Sequence, residues 1–333
     1  MKQFITAVCL AALGVTGAHG AQVDFGDGIR MNQIQVLGTH NSYHKRPKSL
    51  GAMKTFVSAT EDWDYEHLPL DQQLNNGIRS LELDTHNRAE GWQVFHLPMI
   101  DPETTCPTFQ GCLGLVKEWS DAHPRHVPIS LLIEFKDEGM MIDKRDLPLD
   151  VPALDRMDAD VRAVFPAEKL ITPDDVRGDF PTLEEAILKR GWPTLESGRS
   201  KVFVILHEDG DNRDLYLKDH ASLKGRAMFV RSEPGRPEAA TLVLDNPFTP
   251  NLDDCVRKGY WVRCTAGGHP HDGKVDTTRR DKAMTTGAHV LSSDYPPGEK
   301  DAATGYVVDF PGGVPARCNP VNAPPNCAGK ALE

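Results

Sequence analysis

The sequence lacks the short motifs of several enzyme classes. It has no Cys-x-x-Cys, no Gly-x-Ser-x-Gly, no His-Glu-x-x-His and no Gly-Lys-Ser/Thr phosphate loop. Thiol redox chemistry, structural zinc, the serine-hydrolase elbow, the helical zinc peptidase site and nucleotide-phosphate cradling lose their usual carriers. Positive charge is scarce as well: 37 Lys and Arg face 48 Asp and Glu, for a net charge of -11. Such a chain is not built to coat nucleic acid, and no general field draws it to an anionic membrane. The basic runs Lys144-Arg145 and Arg279-Arg280-Asp281-Lys282 are too small to change that, so a lipid would have to be met by local contacts. Beyond the first residues no apolar stretch approaches bilayer-spanning length. Internal repeats and domain-dividing linkers are missing too.

What is present fits one large globular unit. Hydrophobic residues make up 39% and charged residues 26% of 333 positions, enough for a sizeable core. Lys2, the apolar run Phe4 to Val15 and Ala18-His19-Gly20 before Ala21 read as a signal peptide over 1–20, so the protein is expected to be secreted or periplasmic. Residues 21–333 then form a single catalytic domain with a Pro- and Cys-rich tail from about 311 to 333. Cys9 lies in the signal. The other cysteines form three close pairs, Cys106 with Cys112, Cys255 with Cys264, and Cys318 with Cys327, each expected to be a local disulfide in an oxidising compartment.

Eight β-type runs can be read: 31–39, 77–84, 92–96, 128–136, 202–206, 227–230, 260–264 and 289–292. Helical segments are expected over 70–76, 114–123, 154–164, 183–190 and 277–287. Alternation of this kind predicts a parallel sheet, and eight units in this length predict a (β/α)8 barrel of TIM type, with room for an irregular or incompletely closed ring. Nearly every run ends in a chemically useful residue: His40-Asn41, Glu82 and Asp84, His96, Glu134 and Lys136, His207-Glu208, Arg231, Arg263, Asp294. In a barrel these ends converge on one rim.

Strand alternation places Ile78, Ser80, Glu82 and Asp84 on one face. Two carboxylates buried there unpaired would cost several kcal/mol, and a cation removes that penalty. Glu134 repeats the pattern, and the Asn41 carbonyl is a hard oxygen suited to calcium. Lys136 either contacts a phosphate oxygen or pairs with Glu134. His40 and His96 supply two groups that titrate near neutrality, one to take a proton and one to give it. Together these residues point to cleavage of a phosphodiester, whose negative charge must be offset before an oxygen can attack. Asp209-Gly-Asp-Asn-Arg-Asp214 is not a calcium loop, because Arg213 takes a ligand position. His269 and His271 sit in a Gly-rich loop and are expected to be solvated.

Four motifs, Leu37-Gly-Thr-His-Asn-Ser-Tyr43, Leu70 to Asp84, Val94-Phe-His96 and Leu132-Ile-Glu-Phe-Lys136, with the stretch Thr277 to Tyr295, resemble the calcium-dependent phosphatidylinositol-specific phospholipase C family over about residues 32 to 296. The resemblance implies a barrel that cleaves phosphatidylinositol to diacylglycerol and inositol phosphate through a cyclic intermediate. It implies catalytic roles for His40 and His96, Ca2+ ligation by Asn41, Glu82, Asp84 and Glu134, and a phospholipid partner at a membrane or micelle surface. Either His40 or a metal-bound Glu serves as base; His96 is the acid. Asp294 is expected to orient His40, Tyr295 to stack on a substrate ring, and Arg263 to bind a phosphate or pair with an acid. Two rival readings keep the same residues: a glycerophosphodiesterase or sphingomyelinase D-like phosphodiesterase, and a non-catalytic lipid-binding relict.

Overall fold

In the computed structural model, the described residues are 23–48, 63–137, 143–267, 275 and 277–333. The expected signal peptide, His269 and His271 lie outside them. The strands are β1 Ile34–Thr39, β2 Ile78–Arg88, β3 Gly91–Val94, β4 Ile129–Phe135, β5 Val202–Leu206, β6 Phe229–Val230, β7 Thr241–Val243, β8 Trp261–Thr265, β9 Val290–Ser293 and β10 Ala316–Cys318. The helices are α1 Leu70–Asn75, α2 Phe109–Ala122, α3 Val151–Val164, α4 Pro173–Arg177, α5 Leu183–Lys189, α6 Leu195–Gly198, α7 Gly210–Leu217, α8 Leu252–Lys258 and α9 Thr278–Ala283. Side-chain caps mark the starts of α2 to α6. Thr108 accepts from the Gly111 N–H at 3.2 Å, and Asp150 accepts from the Ala153 N–H at 2.7 Å.

The parallel strands run in the order β6-β5-β4-β2-β1-β9-β8-β7. Between β7 and β6 there is no ladder, only the bridge Arg231–Thr241 and the Thr241 hydroxyl donating to the Val230 carbonyl at 2.7 Å. The result is an eight-stranded barrel closed everywhere but at one seam. β10 adds antiparallel to β1, stapled by the Cys318–Cys327 disulfide.

Parallel register with a side-chain period of two decides what faces inward. Gly38 lies beside Ser80 and Ser292, Asp84 beside Glu134, and Arg263 beside Val290. The inward set therefore includes Gly38, Glu82, Asp84, Glu134, Arg263 and Ser292. Leu81, Leu83, Leu131 and Ile133 face the helices and are fully buried. Phe203, Phe229 and Trp261 fill the barrel below the polar layer, with Trp192 packed on all three.

Three expectations need correction. The run 92–96 is no barrel strand: Gly91, at φ 112, starts β3, which folds back antiparallel on β2. The missing barrel strand is β7, three residues too short to carry a visible alternation. Cys255 and Cys264 are free thiols, whereas Cys106–Cys112 and Cys318–Cys327 are bonded. Chain geometry explains the exception. From the turn at Gly259, Cys255 lies about 6 Å back along α8 and Cys264 about 16 Å up β8. The axial gap of about 10 Å exceeds disulfide reach.

Candidate functional site

The turn after β1 is stitched to β2. The Ser42 N–H donates to the Glu82 carbonyl at 2.9 Å, and the Glu82 N–H donates to the Ser42 hydroxyl at 2.7 Å. Asn41 occupies the left-handed region at φ 46, which asparagine tolerates, and is buried against the acids of β2. Its amide end lies 3.2 and 3.3 Å from the two Asp84 oxygens. Turned one way, the amide NH2 donates to Asp84 and the carbonyl accepts from the Tyr65 hydroxyl at 3.2 Å. Turned the other way, carbonyl and carboxylate share one space, which only a cation makes favourable.

The acidic layer is fully buried at Glu82 and Asp84 and partly open at Glu134. Glu82 Oε2 accepts from Arg263 at 2.5 Å, and Arg263 also donates to Asp245. Lys136 Nζ lies 3.1 Å from Asp84 and 2.7 Å from Glu134. Burial is the largest single influence on Glu82 and opposes its charge, but Arg263 together with the imidazoles of His207 and His40 overcomes it and holds the carboxyl well below its usual range. At Asp84 burial prevails; with Glu134 adding to it against Lys136, the carboxyl is pushed up. Four carboxylates, Glu82, Asp84, Glu134 and Asp245, thus share two protein cations, Arg263 and Lys136. Two negative charges remain uncompensated, which matches one divalent ion on hard oxygen donors.

The two expected histidines reach this layer from different supports. His40 follows β1, and its Nδ1 lies 2.9 Å from Asp294, which follows the neighbouring β9. Burial lowers its pKa, but the Asp294 charge and hydrogen bond, helped by Glu82, lift it to about 9. His96 lies in the loop after β3, not at a barrel-strand end. Its Nδ1 lies 2.8 Å from Asp101, whose oxygens also sit 3.0 and 2.9 Å from His44 Nε2. The Coulombic influence of His40 reaches Glu82 and that of His96 reaches Asp84, so the imidazoles flank the acids.

The remaining expected residues are placed as follows. Lys136 bridges Asp84 and Glu134, and Arg263 binds acids and donates to the Ser292 hydroxyl at 3.1 Å. Tyr295 lines a cleft of about 280 Å3 together with Asp294, Tyr65 and Lys45, but its ring is 8% exposed and set edge-on to Tyr306 at 5.9 Å. Five residues beyond the expected set belong to the cluster: His44 and Asp101, which carry His96, Asp245 on Arg263, Tyr65 beside Asn41, and His207. The signal for His207 was its position at the end of β5. His44 sits four residues beyond His40, and Asp101 lies in a loop without periodicity.

A profile of the family described as Phosphoinositide phospholipase C, Ca2+-dependent, matches residues 29–93 and 86–320. No curated protein sequence matches. Among solved structures, the fold is similar to the calcium-dependent phosphoinositol-specific phospholipase C of a Pseudomonas species, in apo form, at 18% identity, TM-score 0.58, covering 87% of this chain and 95% of that one. A myoinositol complex of the Pseudomonas protein gives 17% identity and TM-score 0.59, covering 87% and 96%. The Ca2+-dependent enzyme of Streptomyces antibioticus gives 21% identity and TM-score 0.58, covering 80% and 95%.

Proposed function

Because the chain belongs to the Ca2+-dependent phosphoinositide phospholipase C family, we propose that it cleaves the glycerol–phosphate bond of a phosphatidylinositol-type lipid, with His40 and His96 as the acid–base pair and Asn41, Glu82, Asp84 and Glu134 as the calcium cradle. The observation that carries this is the pair of carboxylate-held imidazoles, His40 on Asp294 and His96 on Asp101, beside four acids, Glu82, Asp84, Glu134 and Asp245, that outnumber their cationic partners Arg263 and Lys136 by two. The cradle fits calcium by donor type: one amide oxygen and three carboxylates. Bound beside Glu82, calcium would supply positive charge that offsets the phosphate and, by like-charge repulsion, draws the His40 value back towards neutrality.

The chain's own residues handle the protons. His40 Nε2 takes the proton of the attacking headgroup hydroxyl as its oxygen bonds to phosphorus, and Asp294 on Nδ1 stabilises the imidazolium formed. The phosphorus–oxygen bond to glycerol breaks, and His96, steadied through Nδ1 by Asp101, protonates the departing alkoxide. Diacylglycerol leaves; a cyclic phosphate remains for water to open by the reverse proton path. Arg263 helps keep Glu82 ionised, and Lys136 holds Asp84 and Glu134 in place. The apolar run at the N-terminus and the two disulfides support export of the protein.

The test is hydrolysis of phosphatidylinositol in mixed micelles, with calcium and with chelator. Diacylglycerol released only with calcium is expected. Undiminished cleavage in chelator removes the ion from the reaction, and a released free headgroup alcohol shifts the substrate to another phosphodiester class.

A further inference from the structure

The two acids nearest the barrel axis use only half of their oxygens on protein cations. Glu82 gives Oε2 to Arg263, and Glu134 gives Oε1 to Lys136. Their other oxygens turn towards the same atom, His207 Nδ1, at 3.8 Å from Glu82 Oε1 and 3.7 Å from Glu134 Oε2. That nitrogen is buried and has no hydrogen-bond partner, on a side chain only 9% exposed. These gaps are too long for N–H···O hydrogen bonds. Ligands about 2.1 Å from a common ion, at an ordinary coordination angle of about 110–120°, stand about 3.4–3.7 Å apart. All three ligand atoms lie within 4.8 Å of one another. Glu134 and His207 also line a cavity of about 710 Å3, with Glu208 and Arg231, which gives an ion a way in.

We propose that His207 Nδ1, Glu82 Oε1 and Glu134 Oε2 form a mixed nitrogen–oxygen subsite for a borderline divalent transition ion of the Mn2+ or Zn2+ kind. Calcium prefers oxygen alone and has Asn41 and Asp84 beside the same acids. An imidazole suits the transition ions, so the chain carries two overlapping donor sets that share Glu82 and Glu134. Ions at the two sets compete for those carboxylates. The competition rests on the calcium cradle proposed above; the nitrogen ligation does not.

Mn2+ is the probe, because it accepts both donor types and is paramagnetic. Metal-free protein loaded with Mn2+ is expected to show nitrogen modulation in pulsed electron paramagnetic resonance. The modulation is expected to vanish in His207→Gln and persist in His40→Gln. Calorimetry is expected to give Mn2+ affinity weakened about tenfold or more in His207→Gln, and Ca2+ is expected to displace Mn2+ from the unmutated protein. Bound Mn2+ without nitrogen modulation, modulation that survives His207→Gln, or no Mn2+ binding at all each overturns the subsite. His207→Asn, checked by circular dichroism, serves if the Gln variant fails to fold, and the unmutated protein together with His40→Gln decides if neither does. Calcium-dependent hydrolysis on the same preparation separates the two readings: it can succeed where nitrogen ligation fails, and fail where ligation is found.

Discussion

At the scale of single residues, two carboxylate–imidazole pairs dominate the chemistry. His40→Ala and His96→Ala are each expected to lower kcat for phosphatidylinositol by about 10²–10⁴-fold; calorimetric calcium affinity is expected to rise in His40→Ala, which removes a cation beside Glu82. Asp294 is a positioning residue that acts on the reaction through His40. Burial lowers the His40 value and Asp294 lifts it to about 9, so in calcium-free Asp294→Asn the imidazole titration followed by NMR is expected to move down, towards ordinary histidine. Unchanged titration would mean that the 2.9 Å contact is not electrostatically coupled. The inward acids were legible in the sequence because a strand's period of two sorts Glu82, Asp84 and Glu134 onto one face. His40 was legible because it follows an apolar run directly. Asp101 was not, since its loop has no period and its meaning comes only from the two imidazoles it joins, His44 and His96.

At the scale of elements, β1 is a strand with little freedom. It pairs with β2, β9 and β10, and at Gly38 a Cβ would come within 2.9 Å of both Ser80 Cβ and Val290 Cγ1. Gly38→Ala is expected to cost about 1–3 kcal/mol of stability in urea unfolding and to shift His40 two residues on, lowering kcat as well. The free thiols offer a second check at this scale. Alkylation of unreduced, denatured protein followed by peptide mass mapping is expected to label Cys255 and Cys264 and to spare Cys106, Cys112, Cys318 and Cys327. Burial also pushes the Cys264 thiol up to about 12 against the help of Thr286, so in the folded protein it should react far more slowly than half-buried Cys255. The β-runs 31–39, 77–84, 128–136, 202–206, 227–230, 260–264 and 289–292 each hold a barrel strand, read from its apolar residues, although 31–33 form a 3-10 turn before β1. β7 hid because Thr-Leu-Val lies within the apolar stretch 239–244 and shows no alternation, and β3 misled because apolar alternation does not reveal whether a strand continues a ring or folds back from it.

At the scale of the whole molecule, two histidines far from the mouth tie folding to pH. His126 accepts from the Ser120 hydroxyl at 2.7 Å and donates to the Val127 carbonyl at 2.6 Å. His289 accepts from the Val262 N–H at 2.9 Å and donates to the Asn32 carbonyl at 2.6 Å. Burial, outweighing these hydrogen bonds, pushes each imidazole down to about 4. An unfolded histidine titrates at about 6.5. Below that pH the unfolded chain binds protons that the folded chain refuses, so stability is full above about 6.5 and is lost as pH falls towards about 4. The loss approaches the order of 3 kcal/mol per ring, measurable as a falling urea midpoint, and His289→Gln should remove its share of the slope. The seam between β6 and β7 bears on the same property. Six of the eight staves in this cask are hooped on both flanks, but between the other two a lone bridge stands in for a hoop. Warmed gently, the vessel should begin to leak there: deuterium should replace the amide protons of Phe229, Val230 and Leu242 well before those in the middle of β2 and β4, while the acids at its mouth stay in place.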